Sequence, residues 1–150
     1  MYFSTLVATM ALAASTALAG TSYVHNKCGY DVYVTSVGAT PGPTTKLENA
    51  TYWSEQQYLE DVGTAIKITT EANGLYEAKP VLHFSYTYNE GVSIYYDLST
   101  IHGYDFAGKK LRLHGPDDQK VEEIVWDGEP KPNHTAVYFG DTSLYLELCD

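Results

Sequence analysis

His83, Asp97 and His102 are the residues of this chain whose types could act together: two imidazoles and a carboxylate, a donor set that suits a divalent metal such as Zn or Cu. A hairpin would bring the first two together. Leu82, Phe84, Tyr86 and Tyr88 alternate with His83, Ser85 and Thr87; after Asn89-Glu90-Gly91, Val92, Ile94, Tyr96 and Leu98 alternate with Ser93, Tyr95 and Asp97. Two runs of period two around a short loop containing Gly predict an antiparallel hairpin. With Asn89–Gly91 as the loop, Phe84 faces Tyr96 and Tyr86 faces Ile94 on the buried side. On the other side Ser85 faces Tyr95 and His83 faces Asp97, with His102 following in the chain. The plainer reading is a His–Asp pair on a wet sheet face with His102 in a loop. No His-x-x-x-His spacing singles out a metal, so the plainer reading takes precedence. In it the carboxylate raises the pKa of His83.

The same face has a second use. Tyr95 stands beside His83, Ser85 and Asp97, so an aromatic ring could stack on a sugar while polar groups bind its hydroxyls. For Tyr33, Trp53 and Trp126, packing is the simpler expectation. Asp117-Asp118-Gln119-Lys120-Val121-Glu122-Glu123 reads as a solvated loop and strand edge, and it lacks the spacing of a calcium-binding loop. Arg112, the only arginine, is expected to support the fold through a carboxylate partner. Ser99 and His102 are too close in sequence to suggest a catalytic triad, and there is no Gly-x-Ser-x-Gly elbow.

The rest of the chain must position that face. It has 150 residues, enough for one domain, and 19 Asp+Glu against 9 Lys+Arg give a net charge of −10. Such a surface repels phosphate backbones and anionic lipid, which argues against nucleic-acid and membrane-surface roles. Fourteen tyrosines favour β-structure. The first charged residue after Met1 comes after Val24, the centre of the opening stretch is apolar, and Ala17-Leu18-Ala19 is a small-x-small pattern. Residues 1–19 are therefore expected to be a signal peptide and 20–150 the exported domain. In an oxidising compartment Cys28 and Cys149 read as one disulfide tying the first strand to the last. Asn49-Ala50-Thr51 and Asn133-His134-Thr135 are glycosylation sequons that agree with this route.

Ten short strands are expected, near Tyr23–Asn26, Val32–Val37, Thr51–Leu59, Ala65–Thr70, Val81–Tyr88, Val92–Leu98, Lys110–His114, Val121–Trp126, Ala136–Phe139 and Ser143–Leu148. Gly38-Ala39-Thr40-Pro41-Gly42-Pro43 and Asp127-Gly128-Glu129-Pro130-Lys131-Pro132 read as loops. Short strands at this spacing predict an all-β sandwich with little helix.

The stretch Phe84 to Gly108, with its aromatic strand, hairpin, Tyr96-Asp97-Leu98-Ser99 and Gly103-Tyr104-Asp105, resembles the thaumatin-like pattern. The match is closer to the small secreted fungal family named for the Blastomyces yeast-phase-specific protein. Asn26-Lys27-Cys28, Val32-Tyr33, Ser36-Val37-Gly38, Ala65–Thr70, Gly74-Leu75-Tyr76, Phe106-Ala107-Gly108 and Ile124–Gly128 carry it in order. The resemblance implies a thaumatin-like β-sandwich and a Cys28–Cys149 pairing.

Larger thaumatin-like proteins have an acidic cleft of an Arg, a Glu and three Asp, and some bind β-glucan there. Carried over by position, Asp97 keeps one Asp, His83 stands at the Glu, His102 at a second Asp and Thr69 at the Arg. The carboxyl pair that glycoside hydrolysis needs is then missing from the inherited place. The expectation is a non-catalytic protein at the cell wall, spore surface or host-facing space. It would bind a cell-wall polysaccharide or a surface protein through His83, Ser85, Tyr95, Asp97 and His102. A weak endo-β-1,3-glucanase and a metal-binding protein using His83, Asp97 and His102 are the alternatives; no other cofactor is expected.

Overall fold

Alternation of buried and more exposed side chains runs through several strands of this protein, in keeping with sheets that have one dry and one wet face. The structure, a computed structural model, describes residues 19–150. The expected leader therefore lies outside the described residues except for Ala19. Eleven strands follow in chain order: β1 (Thr21–Asn26), β2 (Val32–Val37), β3 (Pro41–Leu47), β4 (Thr51–Gln56), β5 (Thr64–Thr69), β6 (Val81–Asn89), β7 (Ser93–Ile101), β8 (Lys110–His114), β9 (Ile124–Asp127), β10 (Ala136–Phe139) and β11 (Leu144–Leu148). A single 3-10 turn, Gly74–Tyr76, is the one helical element among the described residues, so none is long and apolar enough to cross a membrane.

The strands form two sheets, ordered β4-β1-β11-β8-β9 and β10-β7-β6-β5-β2-β3. Their inner faces close on one core: Val24, Leu111, Leu113, Trp126, Leu144 and Leu146 from the five-stranded sheet, and Val34, Ile66, Ile68, Phe84, Ile94 and Tyr96 from the six-stranded one. This is the sandwich that the strand pattern predicts. Trp126 belongs to the core, with the Tyr104 ring edge-on at 5.8 Å, so packing accounts for it. Trimming a ring such as Phe84 to Ala would cost about 3–5 kcal/mol.

The first and last strands are parallel neighbours, with Val24 opposite Leu146 and Asn26 opposite Leu148. Just past their ends Cys28 and Cys149 are joined by a disulfide, Cα to Cα 5.0 Å. Closing a loop of 121 residues removes about 5 kcal/mol of freedom from the unfolded chain, by loop entropy alone.

Four details differ from expectation. Pro41–Pro43 begins a strand instead of ending a loop, because β3 is an edge strand paired only with β2 and proline costs no ladder bond on an open edge. The strand expected to run to Leu59 stops at Gln56, and the one expected from Val121 starts at Ile124. Val121 instead packs its side chain on Gly115.

The fourth is the hairpin register. Val92 N donates to Asn89 O at 2.9 Å, closing a tight turn in which Gly91 takes φ +67°, and Asn89 pairs with Ser93. The loop is thus Glu90–Val92, one residue later than expected, and each partner on β7 moves by two. His83 faces Ser99, Ser85 faces Asp97, Phe84 faces Leu98 and Tyr86 faces Tyr96. An even slip keeps every side chain on its expected face.

Candidate functional site

Side-chain size along three cross-strand rows makes a trough on the outer face of the six-stranded sheet. The middle row, Ala65–Ser85–Asp97, has two small residues at its centre. On one side stand Lys67 and His83, directly opposite each other, and on the other Thr87 and Tyr95. Val62 and Gly63 from the loop before β5 and Thr135 from the segment before β10 complete a cleft of about 470 Å³. Of the expected residues, His83, Ser85, Tyr95 and Asp97 all line it. Tyr95 is 43% exposed and Val62 81%, so the rim offers a ring and an apolar shoulder to whatever enters.

Asp97 is the electrostatic oddity. Its Oδ1 is buried and has no hydrogen-bond partner within the protein, and burial pushes its carboxyl above the ordinary Asp value. Neither Asp97 nor Lys67 is in an ion pair among the described residues, though both line the cleft. The imidazole of His83 is pushed down, first by burial and then by the neighbouring Lys67 ammonium, so it is neutral at pH 7. This reverses the expectation that Asp97 raises it: the register gives His83 a lysine on one side and a serine on the other.

His102 is not part of this set. It is exposed, with φ +61°, in the turn after β7, where Thr100 Oγ1 donates to Gly103 O. Five residues of extended chain separate it from Asp97, roughly 15 Å. Among the described residues no group of three or more His, Cys, Asp or Glu is arranged to hold a metal, so the convergence of His83, Asp97 and His102 is corrected. Thr69, at the inherited arginine position, is buried and donates to Glu71 O; the cleft's cation is Lys67, two residues earlier on the same face.

The cleft therefore presents one carboxylate, one ammonium, a neutral imidazole, hydroxyls and a ring. Among the described residues Asp97 is the one carboxylate that lines it, where the paired acid and nucleophile of a glycosidase need two carboxyl groups. Residues 9–150 match the family described as Blastomyces yeast-phase-specific protein.

The chain belongs to that family.

It is 32% identical over 142 aligned positions to the antigenic thaumatin-like protein of Arthroderma benhamiae, spanning 87% of this chain and 71% of that protein. The fold is similar to the crystal structure of the protein elicitor MoHrip2 from Magnaporthe oryzae. There the TM-score is 0.72 at 21% identity, covering 88% of this chain and 100% of that one. Membership in the yeast-phase-specific family agrees with the thaumatin-like resemblance of the sequence.

Sequence reasoning missed a second cluster, on the outer face of the other sheet. Glu147 on β11 takes His25 Nδ1 at 2.8 Å on one oxygen and His114 Nε2 at 3.3 Å on the other, with Lys27 Nζ at 3.2 Å. Burial alone would raise its carboxyl, but the hydrogen bonds from His114, Lys27 and His25 outweigh it and hold the pKa below the ordinary value. Rings flank the cluster: Tyr52 stacks on His25 at 3.9 Å, and Tyr145 lies between Tyr23 and His114. The alternation of Tyr23, His25 and Lys27 was a signal for one wet face, but nothing local joins it to Glu147. Arg112 finds its carboxylates here, Asp150 and Glu123, each at 3.1 Å. Both sequon asparagines, Asn49 and Asn133, are exposed.

Proposed function

We propose that this protein is a secreted recognition module without catalytic activity. It acts outside the cell and uses the trough on its six-stranded sheet to bind a hydroxyl-rich ligand, a cell-wall polysaccharide of the β-glucan type. The observation that carries this reading is the buried, unpartnered Oδ1 of Asp97 in a cleft that also holds Tyr95. A buried carboxylate oxygen without a donor is costly, and a sugar hydroxyl supplies one. Tyr95 offers a face for the ring, and Ser85, Thr87 and Thr135 add polar contacts. A relative named as antigenic and a structural neighbour named as an elicitor support a role facing other cells.

The test is retention on insoluble β-1,3-glucan and a panel of other wall glycans, with release of soluble sugar measured in parallel. Retention without release, lost in Asp97→Asn and Tyr95→Ala, is the expected result. Release of sugar that Asp97→Asn abolishes would establish the glucanase alternative. No retention on any glycan would leave a surface protein as the partner of this face.

A further inference from the structure

We propose that Gly20 is the first residue of the finished protein and that the fold builds a cradle for its α-ammonium from Gln57 Oε1, the Thr142 carbonyl and the carboxylate of Asp141. This inference rests on the leader reading of residues 1–19 and is independent of the cleft.

Gly20 is walled in by backbone. A Cβ on it would lie 2.0 Å from Thr142 O and 2.9 Å from Gln57 Oε1, so no side chain fits there. Its position is also fixed from both sides, since Gln57 N donates to Gly20 O at 2.9 Å and Thr21 N donates to Ser143 Oγ at 3.1 Å. Gln57 is the independent sign of a ligand. The residue is only 3% exposed, yet among the described residues neither Nε2 nor Oε1 has a partner. Buried amides are nearly always bonded, so a donor belongs at Oε1. The Gly20 Cα lies against that oxygen, and the Gly20 nitrogen is one bond from that Cα.

The electrostatics agree. The depression around Ala19 and Gly20 is lined by Asp118 and Asp141, together with Gln119, Thr142 and Ser143. Asp141 is held in place by Tyr88 Oη and Gly91 N, which both donate to its Oδ1 at 3.1 Å. Ala19 also borders a neighbouring cavity of about 620 Å³ whose ionisable groups are Tyr58, Tyr88 and Glu90. Among the described residues no Lys, Arg or His lines either space, so its carboxylates have no cation beside them there.

Hydrolysis of the Ala19–Gly20 amide by a leader-removing protease supplies that cation. One water is consumed, Ala19 leaves with the new carboxylate, and the Gly20 amine takes up a proton. A single N–H becomes an ammonium with three donors, and removal of Ala19 opens room for it. An α-amino group so placed stays protonated above its usual pKa of about 8.

The full-length gene is expressed in a secreting fungal host, and intact mass identifies the first residue. A second gene carries an extra Ala between Ala19 and Gly20, so that the product begins Ala-Gly. Acylation of the α-amine at pH 7 is expected to be roughly tenfold slower in the native form than in the extended one, the factor of a one-unit rise. Gln57→Leu should raise the native rate and leave the extended form unchanged. The denaturant midpoint of the native form should exceed that of the extended form at pH 7, and the gap should close as the amine deprotonates. A first residue other than Gly20, or equal labelling and equal midpoints in the two forms, overturns the proposal. Glucan retention plays no part in these readouts, so failure of the cleft reading would leave them unaffected.

Discussion

His25 on β1 and Glu147 on β11 face each other across a parallel strand pair, Nδ1 to Oε2 2.8 Å, although they are 122 positions apart in the chain. The contact joins the beginning and the end of the chain on the outer side of the five-stranded sheet, beside the Cys28–Cys149 disulfide. Glu147 is the hub, because His114 and Lys27 reach the same carboxylate.

Glu147→Gln should therefore lower stability at neutral pH by about 1–3 kcal/mol, the range for breaking charge-assisted bonds at a mostly buried group. The folded pKa of Glu147 lies below its unfolded value, so its contribution is present above the unfolded pKa and fades as pH falls through the folded one. Urea midpoints between pH 7 and pH 3 should converge for the two proteins. Parallel curves over that range would show that the carboxylate charge is not what matters.

At Asp97 the opposite sign is expected. Burial raises its pKa in the folded state, so the ionised carboxylate opposes folding above pH 4. Asp97→Asn should leave the thermal midpoint at pH 7 unchanged or raise it, while ligand retention is lost. A site that keeps a destabilising group is the expected signature of function. A clear fall in midpoint would mark Asp97 as structural.

His83 should titrate below the ordinary histidine range when followed by NMR, because burial and Lys67 disfavour its cation. A depressed histidine contributes stability above its unfolded pKa, near 6.5, that is lost as pH falls toward the folded value. Lys67→Met should move the titration back upward. An unchanged His83 titration in that variant would leave burial as the sole cause.

Tyr86, Tyr88, Tyr96 and Tyr104 are each pushed up to about 12, chiefly by burial. Ultraviolet titration should accordingly resolve a late group of phenols after the exposed ones. Their protonated forms stabilise the fold fully below pH 10, and that contribution is lost as pH rises towards 12. A single step near pH 10 in the folded protein would contradict the burial described.

Replacing both Cys28 and Cys149 by Ala should cost about 2–5 kcal/mol. The β1–β11 ladder and the Lys27–Asp150 ion pair at 2.7 Å remain, so the variant is expected to fold with an unchanged far-ultraviolet spectrum and a lower denaturant midpoint.

Much of the sandwich is legible in the amino-acid order because alternation is local. Whether His83, Ser85, Tyr95 and Asp97 share a face depends only on odd or even position, and an error of two in register leaves that answer intact. The family resemblance and the terminal cysteine pair are legible for a similar reason, since both are carried by residue types at particular places in the chain. Which residue meets which is another matter. His83 stands against Lys67 and Ser99 because of one turn closed by Asn89 and Val92, and Ala65 lies beside Ser85 only because β5 pairs with β6. Glu147 gains His25 and His114 because β11 is seated between β1 and β8. Contacts of this kind depend on the balance of loop closure and packing over the whole chain, and no short window of residues contains that balance. The residue order thus determined the faces, and the tertiary structure decided the neighbours.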